Sequence, residues 1–212
     1  MRSSEPERKL KPAILQRLLL LLTALGIGGC QHVIEPPATV SDPVRVFVVD
    51  YGRHASLALP TEAGAGLVEW SWGDWNWYAL ERTGVGQGLQ ALFASPRSTL
   101  ARRELAPAQD APELAASVAA QEVLALDVER EKARALLRQL EARWLRRSDQ
   151  AVTHPSGRVF VPDDARYSLA NNSVHELARW LEALGAKVSG SGVTANFRIR
   201  APPSQRPRPP AR

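Results

Sequence analysis

Only one cysteine, Cys30, occurs in the 212 residues. No disulfide within the chain can therefore hold the fold, and an apolar core has to do so. Its position narrows matters further. Arg8, Lys9, Lys11 and Arg17 form a basic start, and the apolar stretch from Ile14 to Ile27 follows, with Leu18 to Leu22 at its heart. Ile27, Gly28 and Gly29 then lead into Cys30. A basic region, a short apolar region and small residues before a cut site are the marks of a secretory signal peptide. The run is shorter than the ~20 residues that span a bilayer, so residues 1–29 read as a signal and not as a permanent membrane helix.

The segment Ile27-Gly28-Gly29-Cys30 resembles the lipobox of bacterial lipoproteins. That resemblance implies cleavage before Cys30, a diacylglycerol on its sulfur and an acylated amine. Two or more acyl chains, palmitate among them, anchor stably where one does not. The alternative is an ordinary signal peptide with an incidental cysteine. An acylated Cys30 leaves the mature chain without a thiol, which excludes a thiolate nucleophile and a cysteine metal site. Gln31 follows where an acidic residue would signal retention at the inner membrane. By the same resemblance the expected location is the outer membrane, facing the periplasm, with the membrane itself as partner.

Charge distribution sharpens the picture. The net charge is +5, but residues 1–29 carry a surplus of three and residues 201–212 another three; subtracting both leaves −1 for the globular part. Nucleic-acid binding needs a basic face, so no nucleic-acid partner is expected. The Pro- and Arg-rich end, residues 200–212, reads as a disordered tail.

The rest reads as one domain, ample for a hydrophobic core. Residues 30–43, with Pro36, Pro37 and Pro43, read as a lipidated tether. Val44–Val49, Ala55–Leu59 and Leu67–Trp72 read as strands. The stretch from Thr83 to Pro112 yields no placement, and Val123–Leu126 reads as a short strand. Asp127 reads as the N-cap of a helix burying Ala133, Leu136, Leu137, Leu140 and Trp144. Gly157–Pro162 reads as a strand, a second helix runs from Ser173 to Leu184 and stops at Gly185, and Val193–Ile199 closes the domain. This irregular order predicts an α+β fold over residues 44–199.

Three short segments carry a second resemblance: Gly52-Arg53-His54-Ala55-Ser56-Leu57, Val68-Glu69-Trp70-Ser71-Trp72-Gly73-Asp74 with Trp77-Tyr78, and Tyr167-Ser168-Leu169-Ala170-Asn171-Asn172-Ser173. They resemble a bacterial group of urease-associated or conserved lipoproteins, itself similar to permuted papain-like (NlpC-like) hydrolases. The resemblance spans roughly residues 44–190 and implies a small antiparallel sheet packed on helices. It places a general base at His54, an orienting group at Glu69 and the nucleophile at Ser173. The family has a cysteine where Ser173 stands. A cysteine thiol, with a pKa of about 8.5, is readily held as thiolate beside an imidazole. A serine hydroxyl demands tighter base geometry and a well-built oxyanion hole. The expected consequence is a degenerate site in a binding or scaffolding module at the cell wall, with a serine-variant amidase or esterase as the alternative.

Each of these residues also has a structural explanation. Ser173-Val174-His175-Glu176 fits a capping box, worth about 1 kcal/mol. His54 reads equally as a hydrogen-bonded structural residue, and Glu69 as a strand glutamate facing solvent. Trp70, Trp72, Trp77 and Tyr78, with Asn171 and Asn172, are ligand-binding candidates for peptidoglycan or a peptide. The aromatic residues serve equally well as core. No histidine–carboxylate spacing matches a metal site, and no cofactor is called for.

Overall fold

The computed structural model describes residues 31–52, 54–80, 97–190 and 194–200. The signal segment, Cys30 and the tail beyond Arg200 lie outside the described residues.

Seven strands form one antiparallel sheet, far larger than the small sheet expected. They are β2 (Pro43–Asp50), β3 (Ala55–Pro60), β4 (Leu67–Asp74), β5 (Ser98–Leu105), β6 (Glu122–Glu129), β7 (Val152–Thr153) and β8 (Val159–Asp163). Their spatial order is β6-β2-β3-β4-β5-β8-β7. Period-two alternation gives the sheet two unlike faces. On one face Val46, Val48, Leu57, Leu59, Trp70, Trp72 and Leu100 join the main core. The helices α2 (Arg130–Leu145) and α3 (Ser173–Ala183) cover that face with Leu136, Leu137, Leu140, Leu177, Trp180 and Leu181. On the other face a smaller cluster of Phe47, Val49, Ala58 and Leu67 packs on Leu114 of α1 (Ala111–Val118). The mixed α+β class is as expected.

Several local expectations are corrected. The supposed tether contains a strand, β1 (His32–Glu35), which lies between β9 (Lys187–Ser189) and β10 (Phe197–Ile199) in a second sheet. Ile34 is fully buried in the main core, so the domain begins before Val44. Four residues followed by two prolines carry little periodic signal, and the partners of β1 are more than 150 residues away. Asp127 is not a helix cap. It lies in β6, paired through its carboxylate with Arg45 at 3.0 Å, and Glu129 precedes α2 instead. The carboxylate of Glu129 accepts from Ser41 and Asp42. Ser173 is the first residue inside α3, and Asn172 is the cap, its Oδ1 accepting from the N–H groups of Val174 and His175. The helix stripes themselves bury as the periodicity predicts, and α3 ends before Gly185, whose φ of +92° suits a glycine.

An Ile34→Ala substitution in the full chain is expected to cost about 2–5 kcal/mol by chemical denaturation, the range for truncating a buried aliphatic side chain. A loss below about 0.5 kcal/mol would return β1 to the status of a linker.

Candidate functional site

The face of the sheet opposite α3 is not evenly apolar. In β4 the alternation that sends Trp70 and Trp72 into the main core sends Glu69 and Ser71 the other way. Register then sets Glu69 opposite Arg103 of β5. Arg158, the residue just before β8, reaches the same carboxylate.

Glu69 is 1% exposed, and its carboxylate is fully engaged. Oε1 accepts from the hydroxyls of Ser56 at 2.5 Å and Tyr51 at 2.7 Å, and from Arg158 Nη2 at 3.1 Å. Oε2 is held by Arg103 through Nε at 2.8 Å and Nη2 at 2.5 Å. Burial by itself would raise the pKa of this carboxyl, but the two guanidiniums and two hydroxyls outweigh it and hold the group below its ordinary value. Tyr51 is correspondingly pushed up to about 12, by burial first and then by the neighbouring carboxylate. The guanidinium of Arg158 lies 4.8 Å from the centroid of the Tyr51 ring.

Beside this cluster opens a cavity of about 590 Å³. Its aromatic walls are Tyr51, Trp77, Tyr78 and Phe160, and its polar groups include His54, Ser71 and Arg158. Trp77 and Tyr78 come from a single π-helical turn, Trp75–Ala79, that follows β4; the Asp74 carboxylate caps it by accepting from Trp77 N–H at 2.8 Å. Tyr78 folds back over Gly73, where any side chain would collide with its ring. His154 and Ser156 of the β7–β8 turn complete the rim, with His154 Nδ1 and Ser156 Oγ 2.8 Å apart.

His54 lies 5.1 Å from the Tyr78 ring, centroid to centroid. Its Nδ1 is buried and has no hydrogen-bond partner among the described residues. Burial, and secondarily the positive charge of Arg158, lowers its pKa to about 4, with Glu69 opposing only in part. The imidazole is therefore neutral near pH 7 and a weak base.

Of the residues singled out from the sequence, the fold gathers His54, Trp77 and Tyr78 at the cavity. Glu69 lies beneath it, but neither of its oxygens reaches the His54 ring. Ser173 opens the helix on the opposite face of the sheet, beside the phenol of Tyr167. The base, orienting group and nucleophile are thus not assembled into a hydrogen-bonded triad. Trp70 and Trp72 are buried in the main core, where Trp72 donates to Asp163 at 2.8 Å, so they are not available to a ligand. Asn172 is consumed by capping and by donating to Leu169 O at 3.1 Å. Asn171 is tied to Arg166 O and to Arg179. Both asparagines thus have structural roles in the fold. Tyr51, Arg103, Arg158 and Phe160 went unnoticed in the sequence. Their meeting depends on strand register, with only Arg103 on a strand that neighbours Glu69. Cys30 lies outside the described residues.

Among the described residues no cluster of histidine, cysteine and carboxylate side chains is arranged to hold a metal. Comparison with protein-family models, with curated proteins and with solved structures found no match in any of the three.

The depressed pKa of His54 makes a signed prediction. The unfolded chain protonates this ring below about 6.5, while the folded chain does so only near 4. Its contribution to stability is complete above pH 6.5, is lost as pH falls toward 4, and changes little below that. Denaturation midpoints of the parent and a His54→Asn variant should therefore converge over this window, and the ring resonances should titrate near pH 4. A midpoint of titration near 6.5 would refute the burial of this ring.

Proposed function

We propose that the chain is a lipid-anchored envelope protein whose cavity binds a ligand without hydrolysing it. The domain is read as a permuted papain-like fold that has lost its chemistry. Its support is the order of parts: His54 just before β3, Glu69 within β4 and, much later, Ser173 at the start of a helix packed on the sheet. The anchor is Cys30, with the outer membrane, facing the periplasm, as the site of attachment. A cell-wall peptide or peptidoglycan fragment is the class of ligand that such a location offers.

The engagement of Glu69 is the observation that carries the loss of catalysis. A carboxylate that orients a catalytic imidazole must accept from it, and here every acceptor direction is occupied by Tyr51, Ser56, Arg103 and Arg158. Ser173 stands apart from the cavity that holds His54 and is not among its lining residues. What is left at the cavity is a set of aromatic walls and a few polar groups, the usual composition of a binding site. The serine-variant hydrolase keeps one point in its favour, a neutral imidazole with an unpartnered ring nitrogen.

A fluorophosphonate probe applied to the full chain should leave Ser173, Ser71 and Ser156 unmodified by mass spectrometry. Covalent labelling at Ser173 that disappears in His54→Ala would establish the hydrolase instead.

The anchor is tested separately. The exported protein should carry acyl chains on Cys30, and Cys30→Ser should release it from membranes. An unmodified thiol on the exported form would remove the anchor from this reading.

A further inference from the structure

We propose that the cavity takes a carboxylate carried on a flat apolar body, with Arg158 as its charge partner. The inference rests on reading the cavity as a binding site and assigns the chemistry of its ligand.

Charge comes first. Glu69 carries one negative charge, and Arg103 and Arg158 one positive charge each, so the cluster beneath the cavity holds a surplus of one positive charge. None of the described residues lining the cavity is acidic. Arg103 does not line the cavity: its Nε and Nη2 hold Glu69, and Nη2 also donates to the Tyr51 hydroxyl at 2.9 Å. Arg158 is different. One terminal nitrogen reaches Glu69 at 3.1 Å, and no other hydrogen bond of this guanidinium is formed among the described residues. Its side chain is 18% exposed and contributes to the cavity wall. A guanidinium presents five donors in a planar fork, so Arg158 retains unused donors beside the opening.

Geometry selects the kind of anion. The plane of a guanidinium matches a carboxylate held by two parallel hydrogen bonds. A single surplus charge balances a singly charged carboxylate and leaves a phosphate dianion under-neutralised. The rest of the volume is bounded by Trp77, Tyr78 and Phe160, whose ring faces suit a flat or apolar body more than a strongly hydrated one. His54 adds an uncharged ring to that wall and does not compete with Arg158 for the anion.

Isothermal titration of the full chain in detergent micelles tests this with paired probes that differ only in charge. The probes are N-acetyl-phenylalanine and its amide, and a short peptide ending in phenylalanine with a free or an amidated terminus. The acids should bind at least about tenfold more tightly than the amides, the scale of a charge-assisted hydrogen bond. Comparing the single residue with the peptide tells a free amino acid from a chain terminus as the source of the carboxylate. In Arg158→Gln the acid should fall to the affinity of the amide while the amide is unchanged, and Trp77→Ala should weaken both. Equal affinity of acid and amide for the unaltered protein overturns the assignment of charge and leaves the binding reading standing. An Arg158→Gln variant that keeps the preference does the same. Should that variant not fold, the acid–amide comparison on the unaltered protein decides alone. Failure of every probe to bind overturns the ligand class, whereas serine labelling judges the binding reading independently.

Discussion

A buried carboxylate between two arginines sets the character of one whole face of the sheet. Removing a charge from water costs several kcal/mol unless it is paired and hydrogen-bonded. Glu69 meets that requirement because β5 delivers Arg103, the residue just before β8 delivers Arg158, the residue just after β2 delivers the Tyr51 hydroxyl and β3 delivers that of Ser56. The strands β3, β4 and β5 and the residues bordering β2 and β8 thus have to keep their relative positions for one charge to be tolerated. The same arrangement decides what the cavity can do. It fixes Tyr51 as a wall, turns Arg158 toward the opening and withholds the carboxylate from His54. On the proposed reading, a site built around a spent carboxylate serves recognition rather than proton transfer.

A second charged cluster performs the matching task on the helical side. Arg143 of α2 pairs with Asp163 at the end of β8 and with Glu176 of α3, so a single guanidinium ties two helices to the sheet. Trp72 and Ser98 also donate to Asp163, and Trp180 donates to Glu176. For Asp163, burial would raise the pKa, and the hydrogen bonds and charge of Arg143 bring it below the ordinary value instead. Glu176 has no part in a capping box, because its carboxylate faces Arg143, Arg179 and Trp180 rather than the start of its own helix.

What could be read in advance follows from where the signal resides. Strands β2, β3 and β4 and the stripes of α2 and α3 are local patterns, visible as alternation or as three- and four-residue spacing. Strand β5 was not legible, because Arg102, Arg103 and Glu104 interrupt its apolar pattern. These side chains find partners only across the sheet, Arg103 on Glu69 and Arg102 against the rings of Trp70 and Trp144. Asn172 and Ser173 are both good helix starters, and one position separates the residue that caps from the residue that follows it. At the site, His54, Trp77 and Tyr78 could be listed from the sequence. Their grouping with Arg158 could not, since it depends on a register no local pattern contains. The tryptophans of β4 illustrate the limit well: Trp70 and Trp77 are seven residues apart, yet one is sealed in the core and the other lines the opening.

Strand β1 carries a mechanical implication. The backbone of His32 is already hydrogen-bonded to Asn196 at 2.8 Å, and only Gln31 separates it from Cys30. Two residues of extended chain reach about 7 Å. If acyl chains are attached at Cys30, the body of the protein has no leash: it rides flush on the lipid surface, with the β9-β1-β10 sheet nearest the headgroups. Its orientation relative to the bilayer is then set by folding alone, and whatever enters the cavity has to arrive by a route parallel to, or outward from, that surface.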